Sequence, residues 1–309
     1  MSISEKLKAA RPYLASDLEW VITSPFLLER TPVPDLSADP QTQTLIEKIR
    51  KNPSPLADYL TTIKRHTLGT YFEHLVFFWL ENLDDVHIHA SNLQVRDGKE
   101  TIGELDLLFR YQGQDYHWEL AVKFYALTGA FDAEENWVGP LKKDTLKRKL
   151  DRLYSHQLPL IDRATTRRSL DKLGVNDIQS HVFLKGMLFT PHASLHKEVQ
   201  FPRRVSNACA TNPWLELADL EDWPFEPNRH INIRPKARWF STLQEEDWQE
   251  AACTKTLIEQ VTKELLKHNI PQLLSIGAPE NGNIIERSRL FVMPNGWAEA
   301  PGTSPEIRA

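Results

Sequence analysis

Asp106, Glu119 and Lys123 stand in two neighbouring segments whose residues alternate between apolar and polar, ELDLLFRY (104–111) and DYHWELAVKFY (115–125). Successive side chains of a strand point to opposite faces, so Asp106 shares a face with Glu104, Leu108 and Arg110. Glu119 in turn shares one with His117, Ala121 and Lys123. Gln112-Gly113-Gln114 between the segments suits a hairpin turn, which merges the two polar faces. Carboxylates gathered on one face repel each other unless protonated or neutralised, and their hard oxygens suit Mg²⁺ or Mn²⁺. Such an ion lowers the pKa of an attacking water and stabilises charge on a phosphate, while a lysine orients the water or the developing oxyanion. That combination is suited to phosphodiester hydrolysis. The same alternation also describes a half-exposed hairpin with a solvated acid–lysine pair.

The elements that must position these residues are readable around them. LGTYFEHLVFFWL (68–80) is apolar on almost every side, as in a helix buried against a sheet, with Glu73 its acidic exception. A carboxylate there needs a metal, a proton or a cationic partner such as Arg65 or His66. Strands are expected at 86–95, 104–111 and 115–125, then a basic amphipathic helix at 141–156 and a buried strand at 181–189. Helical pieces broken by prolines at 31–41 and 52–55 precede this core. A tryptophan-rich tract (Trp214, Trp223, Trp239, Trp248), a helix at 255–268 and a strand at 287–294 follow it. The expected organisation is an N-terminal helical extension (1–67), an α/β core with a mixed sheet (68–190) and a C-terminal α+β addition (191–309).

Helix, three strands, helix, strand, with Glu73, Gly103-Glu104-Leu105-Asp106 and Glu119-Leu120-Ala121-Val122-Lys123 at their places, resembles the PD-(D/E)XK nuclease superfamily. The chain more closely resembles a bacterial family of unknown function grouped with those nuclease-like folds. The resemblance implies a restriction-endonuclease-like αβββαβ core and a Mg²⁺- or Mn²⁺-dependent nuclease site. In that site Asp106 matches the metal-binding strand aspartate, Lys123 the motif lysine and Glu73 the helix acid that completes the ligands; Glu119 is expected to bind the metal with Asp106. The chain departs from the motif at Ala121, where the second acid is expected. Glu119 lies two residues earlier on the same face, roughly 6 to 7 Å along a strand of ~3.3 Å per residue. A nuclease-like module without catalysis, binding nucleic acid or a protein, is the alternative.

A net charge of -5 gives no global attraction to nucleic acid, so a nucleic-acid partner must be held by a local patch. Lys142, Lys143, Lys147, Arg148, Lys149 and Arg152, continued by Arg163, Arg167 and Arg168, are such a patch; a solvated amphipathic face explains them equally. Cys209 and Cys253 are too few and too far apart for a disulfide framework or a cysteine zinc cage. With no apolar leader and no apolar run of membrane length, a cytoplasmic protein without a membrane partner is expected. His87 with His89, and His192 with His196, lack an evident third metal ligand. No GxSxG, GxxxxGK[ST] or GxGxxG pattern occurs, which leaves serine hydrolase, P-loop and Rossmann readings unsupported.

Overall fold

The computed structural model describes residues 3–29, 33–63, 67–194, 200–209, 211–224, 229–243, 245–248, 254–268 and 270–299. The fold is α/β with a large mixed sheet and several helices. Two compact units share the chain: Met1–Lys123, Arg148–Gly186 and Arg204–Ala208 form one, and Phe124–Lys147, Met187–Arg203 and Cys209–Ala309 the other. Among the described residues no helix is long and apolar enough to cross a membrane.

The first unit opens with helices α1 (Ile3–Thr23), α2 (Pro40–Lys51) and α3 (Ser54–Leu60). Some of the prolines expected to break this region instead start helices. Pro40 takes the first position of α2, where Asp39 caps by accepting the Gln41 N–H at 2.8 Å, and Ser54-Pro55 open α3. Proline costs little there, because a first-turn N–H has no helical partner anyway. Thr31 and Pro32 lie outside the described residues.

Helix α4 (Leu68–Glu81) follows, capped by Thr67, and then strands β1 (Val86–Asp97), β2 (Glu100–Tyr111) and β3 (Gln114–Leu127). Gln112 (φ 49°) and Gly113 (φ 81°) make the expected hairpin with both central residues left-handed, the turn whose twist matches that of the strands. After α5 (Leu146–Arg152) and α6 (Ala164–Lys172) comes β5 (Ile178–Pro191) beside β3. Gln114 with Asp177 and His117 with Ser180 are each 63 residues apart, and Lys123 with Gly186 keeps the same offset, so β3 and β5 run parallel. The intervening helices are the crossover that parallel strands require. The expected order of helix, three strands, helix, strand is therefore present, with a two-residue strand β4 (Trp137–Val138) inserted.

Aromatic packing explains why α4 is apolar nearly all round. Trp118 of β3 stacks on Phe183 of β5 (centroids 4.8 Å apart) and takes the edge of Phe109 at 4.8 Å. Trp79 of α4 reaches both, at 6.4 and 6.3 Å. Lys185, an apparent anomaly within the apolar β5, donates to the carbonyls of Ile22 and Ser24 at the end of α1 and stands 3.9 Å over the Phe26 ring. Next to it Gly186 permits a close strand approach, since a Cβ there would lie 1.7 Å from the Lys123 carbonyl oxygen.

In the second unit the end of β5 pairs in parallel with β6 (Thr211–Glu216), and β6 with β9 (Asn283–Met293). Antiparallel β8 (Gln272–Glu280) and β7 (His230–Arg234) continue the sheet, and β4 pairs with the end of β3. Leu215, Ile231, Leu274 and Leu290 form a core with Val261 and Leu265 of α7 (Thr254–His268). Trp214 and Trp239 are buried in this unit, Trp239 against Phe124 and Phe291.

The basic helix expected at 141–156 begins only at Leu146. Gly139 donates to the Asp144 carbonyl and Lys142 donates to Gly139, so residues 139–144 form a turn, with Lys142 at φ 54°. Lys142 and Lys143 thus precede the helix, and Lys142 donates its ammonium to the Glu299 carbonyl at 2.7 Å.

Candidate carboxylate site

The backbone ladder between β2 and β3 ends at the Leu107–Trp118 pair. One step further the Asp106 side chain takes over, its Oδ2 accepting the Leu120 N–H at 2.8 Å. This substitution turns Asp106 toward Glu119, whose charge, after burial, is the chief influence raising the Asp106 carboxyl. The merging of polar faces expected from alternation is therefore present, but not as a solvated hairpin: Glu119 and His117 are both 0% exposed.

Glu119 is fixed from two further sides. His117 Nε2 lies 3.1 Å from Oε1, and the Gln157 amide donates to Oε2 at 2.5 Å. Burial holds His117 down to about 4, so its ring is neutral at neutral pH and carries one N–H. The assignment that satisfies both neighbours donates Nε2–H to Glu119 and accepts the Ser180 hydroxyl at Nδ1, 2.9 Å away. Ser180–His117–Glu119 has the connectivity of a hydrolase triad, yet its histidine has no exposed surface to offer a substrate, so the chain works as an orienting relay.

Glu73 joins the same field from α4. Burial, then the charges of Asp106, Glu104 and Glu119, push it up to about 7, with Lys149 opposing. Asp106 is likewise raised to about 7, by burial and by Glu119, and Glu119 to about 7 by burial. Lys149 is the strongest-acting cation on all three carboxyls. Burial and the Lys123 ammonium hold Lys149 itself below its usual range, against the pull of Glu119 and Asp106. Glu73, Asp106, Glu119 and the two lysines thus form one electrostatic group. Arg65 and His66, the partners considered for Glu73 in the sequence, lie outside the described residues.

Lys149 and Gln157 are the site residues that sequence alternation does not reveal. Leu146, Leu150 and Leu153 are buried, and their 3–4 spacing defines the inward stripe of α5. Lys149 and Gln157 sit on the same stripe, and a polar residue on an inward stripe facing acids was the available signal. Lys147, Arg148 and Arg152 point outward and are exposed. His89, a bulge residue of β1, bonds Asp115 at 2.8 Å together with Arg110, and His87 lies edge-on to it, so His89 is engaged with Asp115. His196 lies outside the described residues.

Among the described residues no group of three or more His, Cys, Asp or Glu side chains is arranged to hold a metal ion. The donor set nonetheless fits a hard divalent cation. Mg²⁺ is commonly held by one or two carboxylates plus waters and substrate phosphate, and Asp106 and Glu119 are the carboxylates that could hold it here.

A family model described as "Domain of unknown function (DUF1853)" matches residues 16–293. The chain belongs to the DUF1853 family. That match runs from α1 to the end of β9, so the carboxylate site lies wholly within the DUF1853 region. No curated protein and no solved structure matches the chain.

Proposed function

We propose that this protein is a metal-dependent phosphodiesterase acting on DNA or RNA, with a PD-(D/E)XK nuclease-like, restriction-endonuclease-like core working in the cytoplasm. The observation that carries this reading is the convergence of half-buried Glu73 and Asp106 on buried Glu119, with Lys123 and Lys149 in the same electrostatic group. Acids raised to about 7 by burial and by one another's charge are the kind of group from which functional sites are built, and this supports the reading. Asp106 and Glu119 are the residues to hold Mg²⁺ or Mn²⁺, with Glu73 beside them. When bound, the ion supplies Lewis-acid stabilisation of phosphate charge and a more acidic water. The chain's own part is to fix Glu119 through His117 and Gln157, to hold Asp106 on the Leu120 N–H, and to present two ammonium groups to an anionic substrate. On this reading the exposed Lys147, Arg148 and Arg152 of α5 neutralise backbone phosphates.

Purified protein with Mn²⁺ or Mg²⁺, offered single- and double-stranded DNA and RNA, should cleave at least one of them, and Asp106→Ala should abolish the cleavage. Cleavage that survives Asp106→Ala rejects the site. The second reading, a nuclease-like module that binds without cutting, is favoured by one observation: Ala121 stands where the motif's acid belongs and Glu119 already has its oxygens engaged. Salt-sensitive binding without cleavage, weakened by charge reversal at Lys147 and Arg148, distinguishes it.

A further inference from the structure

Gln157 reaches Glu119 because the helix carrying it changes pitch. Eight residues separate Lys149 from Gln157, which in a regular α-helix at about 100° per residue leaves them ~80° apart around the axis. Beyond Arg152 the helix widens into a π-turn over Leu153–Gln157, in which each residue advances by a smaller angle. Most of the offset is thereby removed, and the two side chains come into line: Lys149 Nζ donates to Gln157 Oε1 at 3.2 Å, while Gln157 Nε2 donates to Glu119 Oε2. The Gln157 amide is thus oriented by Lys149, because its oxygen is occupied and its NH₂ must face the carboxylate. His117 holds the opposite oxygen of Glu119 from β3.

We propose that Lys149 and Gln157 form a positioning arm of the carboxylate site, Gln157 fixing Glu119 for the cation and Lys149 supplying a second ammonium that aligns the anionic substrate. The arm compensates for the displaced acid. Glu119 starts two residues from the motif position, and a carboxylate held by donors on two sides occupies a defined place that a free glutamate does not. The kinetic half of this inference rests on the phosphodiesterase reading; the cation half does not.

The test uses the full chain with Gln157→Leu, Lys149→Ala and Lys149→Arg, each checked for native circular dichroism and unfolding midpoint. Mn²⁺ affinity is measured by calorimetry and cleavage by gel assay. Gln157→Leu should weaken Mn²⁺ binding about tenfold or more, the scale of lost outer-sphere partners. Lys149→Ala should bind Mn²⁺ no more weakly than Gln157→Leu, because it also removes a like charge, yet cleave about a hundredfold more slowly, with Lys149→Arg restoring most of that loss. Wild-type affinity in a folded Gln157→Leu overturns the arm, as does Lys149→Ala cleaving within threefold of wild type. A wild-type protein that binds Mn²⁺ but cuts nothing refutes the phosphodiesterase reading and the kinetic half alone; the Gln157→Leu affinity then decides the rest. Absence of Mn²⁺ binding in the wild type overturns both.

Discussion

Removing one charge from the carboxylate group should stabilise the metal-free protein, and by an amount that grows with pH. Glu73 is the residue to change, because Glu119 and Asp106 are also hydrogen-bond acceptors whose amides would disturb their donors. Its folded value of about 7 stands above the ordinary 4.5. The stability tied to its protonated form is therefore complete below about pH 4.5 and is lost as pH rises through about 7. A shift of about 2.5 units at ~1.4 kcal/mol each gives roughly 3 kcal/mol, reduced to about 2 kcal/mol between pH 5 and 8 for the part of the side chain open to solvent. Glu73→Gln, which cannot ionise, should thus gain about 2 kcal/mol over the wild type across that interval, or about 5 °C in unfolding midpoint. The assay is thermal and urea unfolding of both proteins at pH 5, 6, 7 and 8 in chelator. With Mn²⁺ present the wild type should recover much of the deficit, since a cation replaces the protons. Unfolding curves of the two proteins that stay parallel from pH 5 to 8 would refute the raised Glu73 carboxyl, which burial and then the charges of Asp106, Glu104 and Glu119 produce.

Two further outcomes test the scaffold around the site. Gly186→Ala should cost about 3 kcal/mol or more and lower the urea midpoint sharply, because the added Cβ meets the Lys123 carbonyl and cannot be relieved by a rotamer change; an unchanged midpoint would contradict the close pairing of β3 and β5. Asp115 is buried, which by itself raises a carboxyl, but the bonds from Arg110 and His89 outweigh this and hold it below its usual range. Asp115→Asn should cost about 2 kcal/mol at pH 7, the difference shrinking as pH falls below about 4 and the wild-type carboxyl takes up its proton, and equal loss at pH 3 and pH 7 would exclude this ion-pair account.

Local rules account for much of the fold. Alternation in 104–111 and 115–125 specifies the β2–β3 hairpin and places Asp106 opposite Glu119, because a strand's period of two leaves no other assignment once the turn is set. The apolar surround of 68–80 fits α4, and the apolar run at 181–189 fits β5, although Lys185 reads there as a misfit until α1 supplies the carbonyls it caps. The start of the basic helix is misplaced in the sequence reading. Lys142 and Lys143 carry good helix propensity, but the backbone N–H groups around Gly139 and Lys142 are used in a turn that propensity does not register.

What the sequence by itself determined is which side chains share a face: Asp106 with Glu119 across the hairpin, Lys123 beyond them, and leucines 146, 150 and 153 along one helix stripe. Tertiary structure decided what that face is. Whether it meets water or a helix depends on the crossover between β3 and β5: Glu119 and His117 are completely buried, and the crossover brings Lys149 into the field that Glu73 enters from α4. Periodicity fixes direction within an element, whereas burial, and with it the electrostatics of a carboxylate, depends on residues far away in the chain.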